Sequence, residues 1–198
     1  MGQNVVHSVL DEYIPFVMLL LSLFVVTGGI HISGDIKAKP LTNTLILALG
    51  FALASVMGTT GAAMLLIRPL LQINQQRKYR VHTVLFFIAL VANCGGLLTP
   101  LGDPPLFLLF LKGADFMWFS TMFPQWFTAG ALLLLMYWIA DKYYYAKEPA
   151  EAKLRDATET APIRIQGKIN FLYLGMVIAA VLFLNRKYIP AMALHESP

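Results

Sequence analysis

Two segments of this chain pair ion-binding residue types with backbone that cannot remain helical. The first is Gly58-Thr59-Thr60-Gly61. A turn here offers carbonyl oxygens and two hydroxyls to a hard cation, or helix N-terminal amides to an anion. The same residues would also serve as a small-residue packing face within one long helix. The second segment is Asn93-Cys94-Gly95-Gly96-Leu97-Leu98-Thr99-Pro100-Leu101-Gly102-Asp103-Pro104-Pro105. Two adjacent glycines followed by three prolines within six residues cannot continue a helix. Asp103 sits in this break, and an ionisable residue flanked by apolar spans marks a candidate functional site. Asp103 before Pro104 also suits a helix N-cap, and the two roles are compatible. Asn93 and Thr99 could supply neutral oxygens to an ion or satisfy the freed backbone.

Both segments lie within long apolar blocks. The 198-residue chain is 58% hydrophobic and 13% charged, about half the charge fraction of a soluble domain. Residues 14–32, 41–67, 116–140 and 169–185 contain no Asp, Glu, Lys or Arg, and 81–111 contains only Asp103. A bilayer crossing needs about 20 apolar residues, so the composition predicts an all-α membrane protein. About four transmembrane spans are expected, plus one re-entrant helical hairpin and a broken helix.

Charge distribution supplies the topology. Lys37 and Lys39 precede the 41–67 block, and Arg68, Arg77, Lys78 and Arg80 follow it. Basic flanks on both sides predict a same-side hairpin over 41–72, turning near Gly58 to Gly61. Span 13–32 then runs inward, broken helix 81–112 runs outward, and span 116–140 returns. Residues 141–168 form a polar cytoplasmic linker, and 169–198 hold a further span and short tail; residues 1–140 form one transport repeat. In this arrangement only Lys112, Arg186 and Lys187 of the 15 Lys and Arg residues lie outside. The expected location is the inner (plasma) membrane, multi-pass, with the N-terminus outside.

The remaining chemistry-bearing residues have ordinary readings. Trp118, Trp126, Trp138 and Tyr143 to Tyr145 fall near block ends, where interface aromatics belong. His31 and His82 lie at block ends and read as interface residues; His7 and His195 are terminal. The single cysteine, Cys94, excludes an internal disulfide and reads as a packing residue. Neither a nucleotide-binding loop nor a zinc-type cluster is visible, and the basic residues at block ends do not indicate nucleic acid.

Residues 58–69 and 93–105 resemble the paired signatures of the ion transporter superfamily. More narrowly, they resemble its NhaD-type sodium:proton antiporters and the related citrate-transporter family. The resemblance covers roughly residues 15–140. It implies an inverted-repeat transporter in which an ion binds where a hairpin tip meets an unwound helix. Carried over residue by residue, it places a sodium or proton site among Thr59, Thr60, Gly61, Asn93, Gly95, Gly96, Thr99 and Asp103, with Thr59, Thr60, Asn93 and Asp103 as sodium ligands. Antiporter-type members often carry Thr-rich sequence after the aspartate, whereas here Pro104-Pro105-Leu106 follows.

Sodium:proton antiport is thus the first functional expectation, and sodium-coupled citrate or carboxylate transport the second. No cofactor is expected beyond Na+ and H+ as transported or coupling ions. One hairpin and one broken helix make half a transporter, so the expected partners are the bilayer, a second repeat half and possible homodimer formation. A partial N-terminal repeat without transport activity alone is the third expectation. An intramembrane aspartyl protease is disfavoured: Pro100 occupies the position of the first Gly of a Gly-x-Gly-Asp site, and the other spans offer no second aspartate.

Overall fold

The computed structural model describes residues 8–184. His7, Arg186, Lys187, His195 and the expected tail beyond residue 184 lie outside the described residues. After a π-helical turn at Ser8–Tyr13, α1 spans Ile14–Gly28, started by Pro15 in its first turn. Helix α2 spans Pro40–Met57, with Pro40 supplying a preset φ at its first position. Helix α3 spans Thr59–Ile73. Gly58 alone separates α2 from α3, at φ +82°, a conformation that costs glycine no Cβ clash.

The chain reverses at Gly58. Asn43, near the start of α2, exchanges side-chain amide hydrogen bonds with Asn74, just after α3, at 2.8 and 3.0 Å. The pair is therefore a helical hairpin with Gly58 at its tip and an amide clasp across its open end. Leu47, Phe51, Ala54 and Met57 of α2 and Ala62, Leu65, Leu66 and Leu70 of α3 are buried in the core.

The 81–112 region is broken as its sequence demands. Helix α4 spans Val81–Leu90, a 3-10 turn covers Cys94–Leu98, and α5 spans Pro104–Leu111. Helix α1 fixes the level of the hairpin tip along the stack. A Cβ added at Gly58 would lie 3.9 Å from Leu23 Cδ1, whereas one at Gly61 would lie 3.0 Å from Thr27 Cγ2. On the other side of the tip, Phe16 packs on Phe107 of α5 at 6.4 Å between ring centroids. The Lys112 ammonium, at the end of α5, lies 3.9 Å from the Glu12 carboxylate. The hairpin tip therefore ends inside the stack, and both α1 and α5 continue past it.

Expected span 116–140 is divided differently. A short α6, Phe116–Ser120, is capped by Asp115 accepting from Met117 N–H at 2.9 Å. Helix α7 then runs Phe123–Ala146, about 36 Å long. It continues past residue 140 because Asp141, instead of ending an apolar span, is buried against Arg77 and His82. Beyond it lie α8 (Ala150–Thr158) and α9 (Ile169–Phe183).

The helical expectation missed a two-stranded ribbon. Strand β1, His31–Asp35, pairs antiparallel with β2, Ala161–Gln166, in the register His31 to Gln166 and Ser33 to Arg164, with an irregularity between Ser33 and Asp35. Each strand is five or six residues of mixed polarity, too short to announce itself by alternation. Asp156 of α8 accepts from the Ala38 N–H at 3.0 Å, fastening the polar segment near the start of α2. Burial raises the Asp156 carboxyl above its ordinary range, against the lowering effect of that hydrogen bond. Three helical stretches among the described residues are long and apolar enough to cross a membrane: Pro40–Met57, Val81–Leu98 and Phe123–Ala146. The protein is a predominantly helical membrane protein.

Candidate functional site

The two sequence breaks meet. Thr59, the first residue after the hairpin tip, donates its backbone N–H to the Gly102 carbonyl at 2.9 Å. Its hydroxyl donates to the Asp103 carboxylate at 2.8 Å and lies 3.3 Å from the Gly102 carbonyl. Asp103 occupies the N-cap position of α5 in extended conformation, yet its carboxylate makes no capping bond. Its backbone carbonyl instead accepts from Leu106 and Phe107 N–H at 3.1 and 3.2 Å. The carboxylate is thus free to face Thr59, and capping does not account for it.

A cavity of about 400 Å³ opens beside this contact. Thr59, Thr60, Gly61 and Asp103 line it, along with apolar α1 residues that include Leu20 and Leu23. Among the described residues, Asp103 is the only ionisable one in its wall, and none of the described Lys, Arg or His residues lines it. A low-dielectric cavity with one carboxylate and two hydroxyls favours a cation or a proton over a bare anion.

The other expected residues have different places. Gly95, Gly96 and Thr99 hold the unwound segment together and do not line the cavity. The Gly95 carbonyl accepts from Ser55 Oγ and from Trp126 Nε1, the latter at 3.1 Å. Thr99 donates its hydroxyl to the Ser55 carbonyl and accepts from Leu101 N–H at 3.2 Å. Gly96 and Gly102 are in such close contact that a Cβ on Gly102 would sit 1.7 Å from the Gly96 carbonyl oxygen. Asn93 is exposed and turns its amide back to the Ile88 carbonyl at 2.8 Å, away from the Thr59–Asp103 contact.

The hairpin tip thus docks on the broken helix, with the Asp103 carboxylate between them. The profile of a family described as "Putative citrate transport" matches residues 1–196. The chain belongs to this family. Comparison with curated proteins and with solved structures finds no match.

In this member of the family, three residues that support the candidate site escaped sequence reasoning. Ser55 ties the last turn of α2 to both Gly95 and Thr99. Its signal was a lone hydroxyl in the apolar turn before Gly58. Trp126, expected at the membrane interface, stacks on Phe51 at 4.3 Å and holds the Gly95 carbonyl. Thr27 packs against Gly61 and donates to the Leu23 carbonyl at 2.6 Å, a local bond that gives no sequence signal.

Proposed function

We propose that this chain carries the cation-coupling half-site of a secondary active transporter. Asp103 exchanges a proton for sodium, with the Thr59 hydroxyl as a neighbouring neutral oxygen. The observation that carries this reading is the Asp103 carboxylate, released from capping duty and turned to Thr59 in a cavity that no basic side chain lines among the described residues. Protonated and sodium-bound forms of Asp103 exclude each other, so the two ions use one site in turn. On this reading the hairpin is re-entrant, with its open end cytoplasmic and the N-terminus outside. The end of the tip within the stack supports that placement.

Sodium:proton antiport is the activity this site serves most directly. Sodium-coupled uptake of a small carboxylate such as citrate is the second reading, favoured by the family description. With no cationic side chain in the cavity wall among the described residues, a carboxylate substrate would need the bound coupling ion, or groups from a second repeat half, to balance its charge. Full-length chain in proteoliposomes separates the readings through pH-driven sodium flux and uptake of labelled citrate. Asp103→Asn should reduce whichever flux is present at least ten-fold. A variant that retains wild-type flux of both kinds removes Asp103 from the mechanism.

A further inference from the structure

The cavity beside Asp103 is larger and more apolar than a coupling ion requires. Its volume of about 400 Å³ lies in the range of roughly 300–1,000 Å³ in which proteins hold small organic molecules. An apolar cavity of about 150 Å³ is already enough for a benzene ring. Phe16, Leu20 and Phe24 of α1, Met57 at the end of α2 and Phe107 of α5 supply its apolar wall. The Phe16 and Phe107 rings, 6.4 Å apart between centroids, form an aromatic side. Met57 and Phe107 are buried, whereas Leu20 and Phe24 are 39% and 53% exposed. The cavity is therefore closed against the hairpin tip and α5, and open along α1.

The polar groups of the wall sit at the hairpin tip and at the start of α5. Asp103 Oδ1 accepts from the Thr59 hydroxyl, and Oδ2 has no donor among the described residues. Thr60 adds a hydroxyl from an exposed position. An unpaired carboxylate oxygen beside an apolar wall calls for a donor that carries positive charge. Water reaching Oδ2 would leave the apolar wall wet, and a lipid acyl chain would cover the wall and leave Oδ2 without a partner. A ligand with a cationic head and an apolar body meets both needs. A guanidinium head suits the site well, because its paired N–H groups match a carboxylate. We propose that the cavity binds monovalent organic cations with an apolar body of about one ring, the head at Asp103 and the body between α1 and Phe107. The proposal rests on Asp103 acting as a cation site and extends that site from an inorganic ion to a class of organic ligand.

The test is equilibrium binding of labelled phenylguanidinium to the full chain in lipid nanodiscs, corrected for empty nanodiscs. Phenylurea is the neutral probe of the same shape. The wild type should bind phenylguanidinium at least about ten-fold more tightly than phenylurea, because charge-assisted hydrogen bonds exceed neutral ones. Asp103→Asn should bring the two affinities within about two-fold, since the charge that separates the probes is gone. Leu20→Trp fills the cavity from its open side and leaves Asp103 intact. It should weaken phenylguanidinium binding at least about ten-fold, as expected when a pocket is overfilled, and it decides the matter if Asp103→Asn does not fold. Equal affinity for the two probes, absence of saturable binding, or phenylguanidinium binding that survives either folded variant unchanged overturns the proposal. Flux measurements keep this ligand site separate from the coupling role. Asp103-dependent flux without phenylguanidinium binding defeats the ligand site and leaves the coupling role standing. A phenylguanidinium preference that is lost in Asp103→Asn, together with flux that is not, supports the ligand site and defeats the coupling role.

Discussion

Asp103 and Thr59 share one hydrogen bond on which the proposed site depends. A hydrogen bond to a charged group is worth about 1.5–3 kcal/mol. Thr59→Val, which removes the hydroxyl and keeps the shape, should therefore weaken cation dependence of transport about ten-fold or more, read as the sodium concentration for half-maximal flux. Thr59→Ser should restore most of it. Asn43 gives a purely structural counterpart at the same scale. Asn43→Leu removes both amide bonds to Asn74, whose buried amide keeps only the Leu70 carbonyl and Arg77, and the bond to Asp141. An unsatisfied buried group costs about 1–3 kcal/mol, so the unfolding midpoint should fall while the sodium dependence of the remaining folded protein is unchanged. Asp103 and Thr59 were legible in the sequence because charge and hydroxyls are rare in apolar blocks. Asn93 was legible for the same reason, but its local bond to Ile88 directs it elsewhere.

At the scale of elements, the site is shaped by backbone contact. Gly102 and Gly96 touch where the broken helix folds on itself, and a side chain at Gly102 would overlap the Gly96 carbonyl. Gly102→Ala should destabilise the protein by about 3 kcal/mol or more, since overpacking of a site without room to relax costs at least 1–3 kcal/mol, and it should abolish transport. Gly175, inside α9, has nothing within 4 Å of an added Cβ. Gly175→Ala should stabilise by up to about 1 kcal/mol through helix propensity, which makes it the matched control in the same melting experiment. The two breaks were legible because glycine and proline act locally. The supports were not: Ser55 and Trp126 reach Gly95 across 40 and 31 residues of sequence, and nothing local records such distances.

For the molecule as a whole, the hairpin tip lies within the stack and the Asn43–Asn74 amide clasp closes its open end. Two features lie at that end: the Arg77–His82–Asp141 cluster, and the β1–β2 ribbon, reached through Asp35, which accepts from Gln75 and Gln76 side chains at 3.3 and 3.4 Å. Cysteine accessibility tests the orientation. With Cys94 replaced by Ser, a single cysteine at Lys37 should react with impermeant reagent only in inside-out vesicles, and one at Lys112 only in right-side-out vesicles. Labelling of both positions from the same side would refute the re-entrant arrangement.

The sequence by itself determined that the chain is a helical membrane protein, where its helices break, and which carboxylate sits in the break. Those properties follow from hydrophobic run length, from glycine and proline geometry, and from the high cost of charge in an apolar block, all of which are local. Only the tertiary structure decided that the two breaks meet, that Asp103 faces Thr59 instead of capping α5, and that Asp141 is buried against Arg77 and the part-buried His82. Those outcomes depend on contacts between residues tens of positions apart. A charged residue at the end of an apolar block has the same local sequence whether it meets water or a buried partner, and packing alone distinguishes the two.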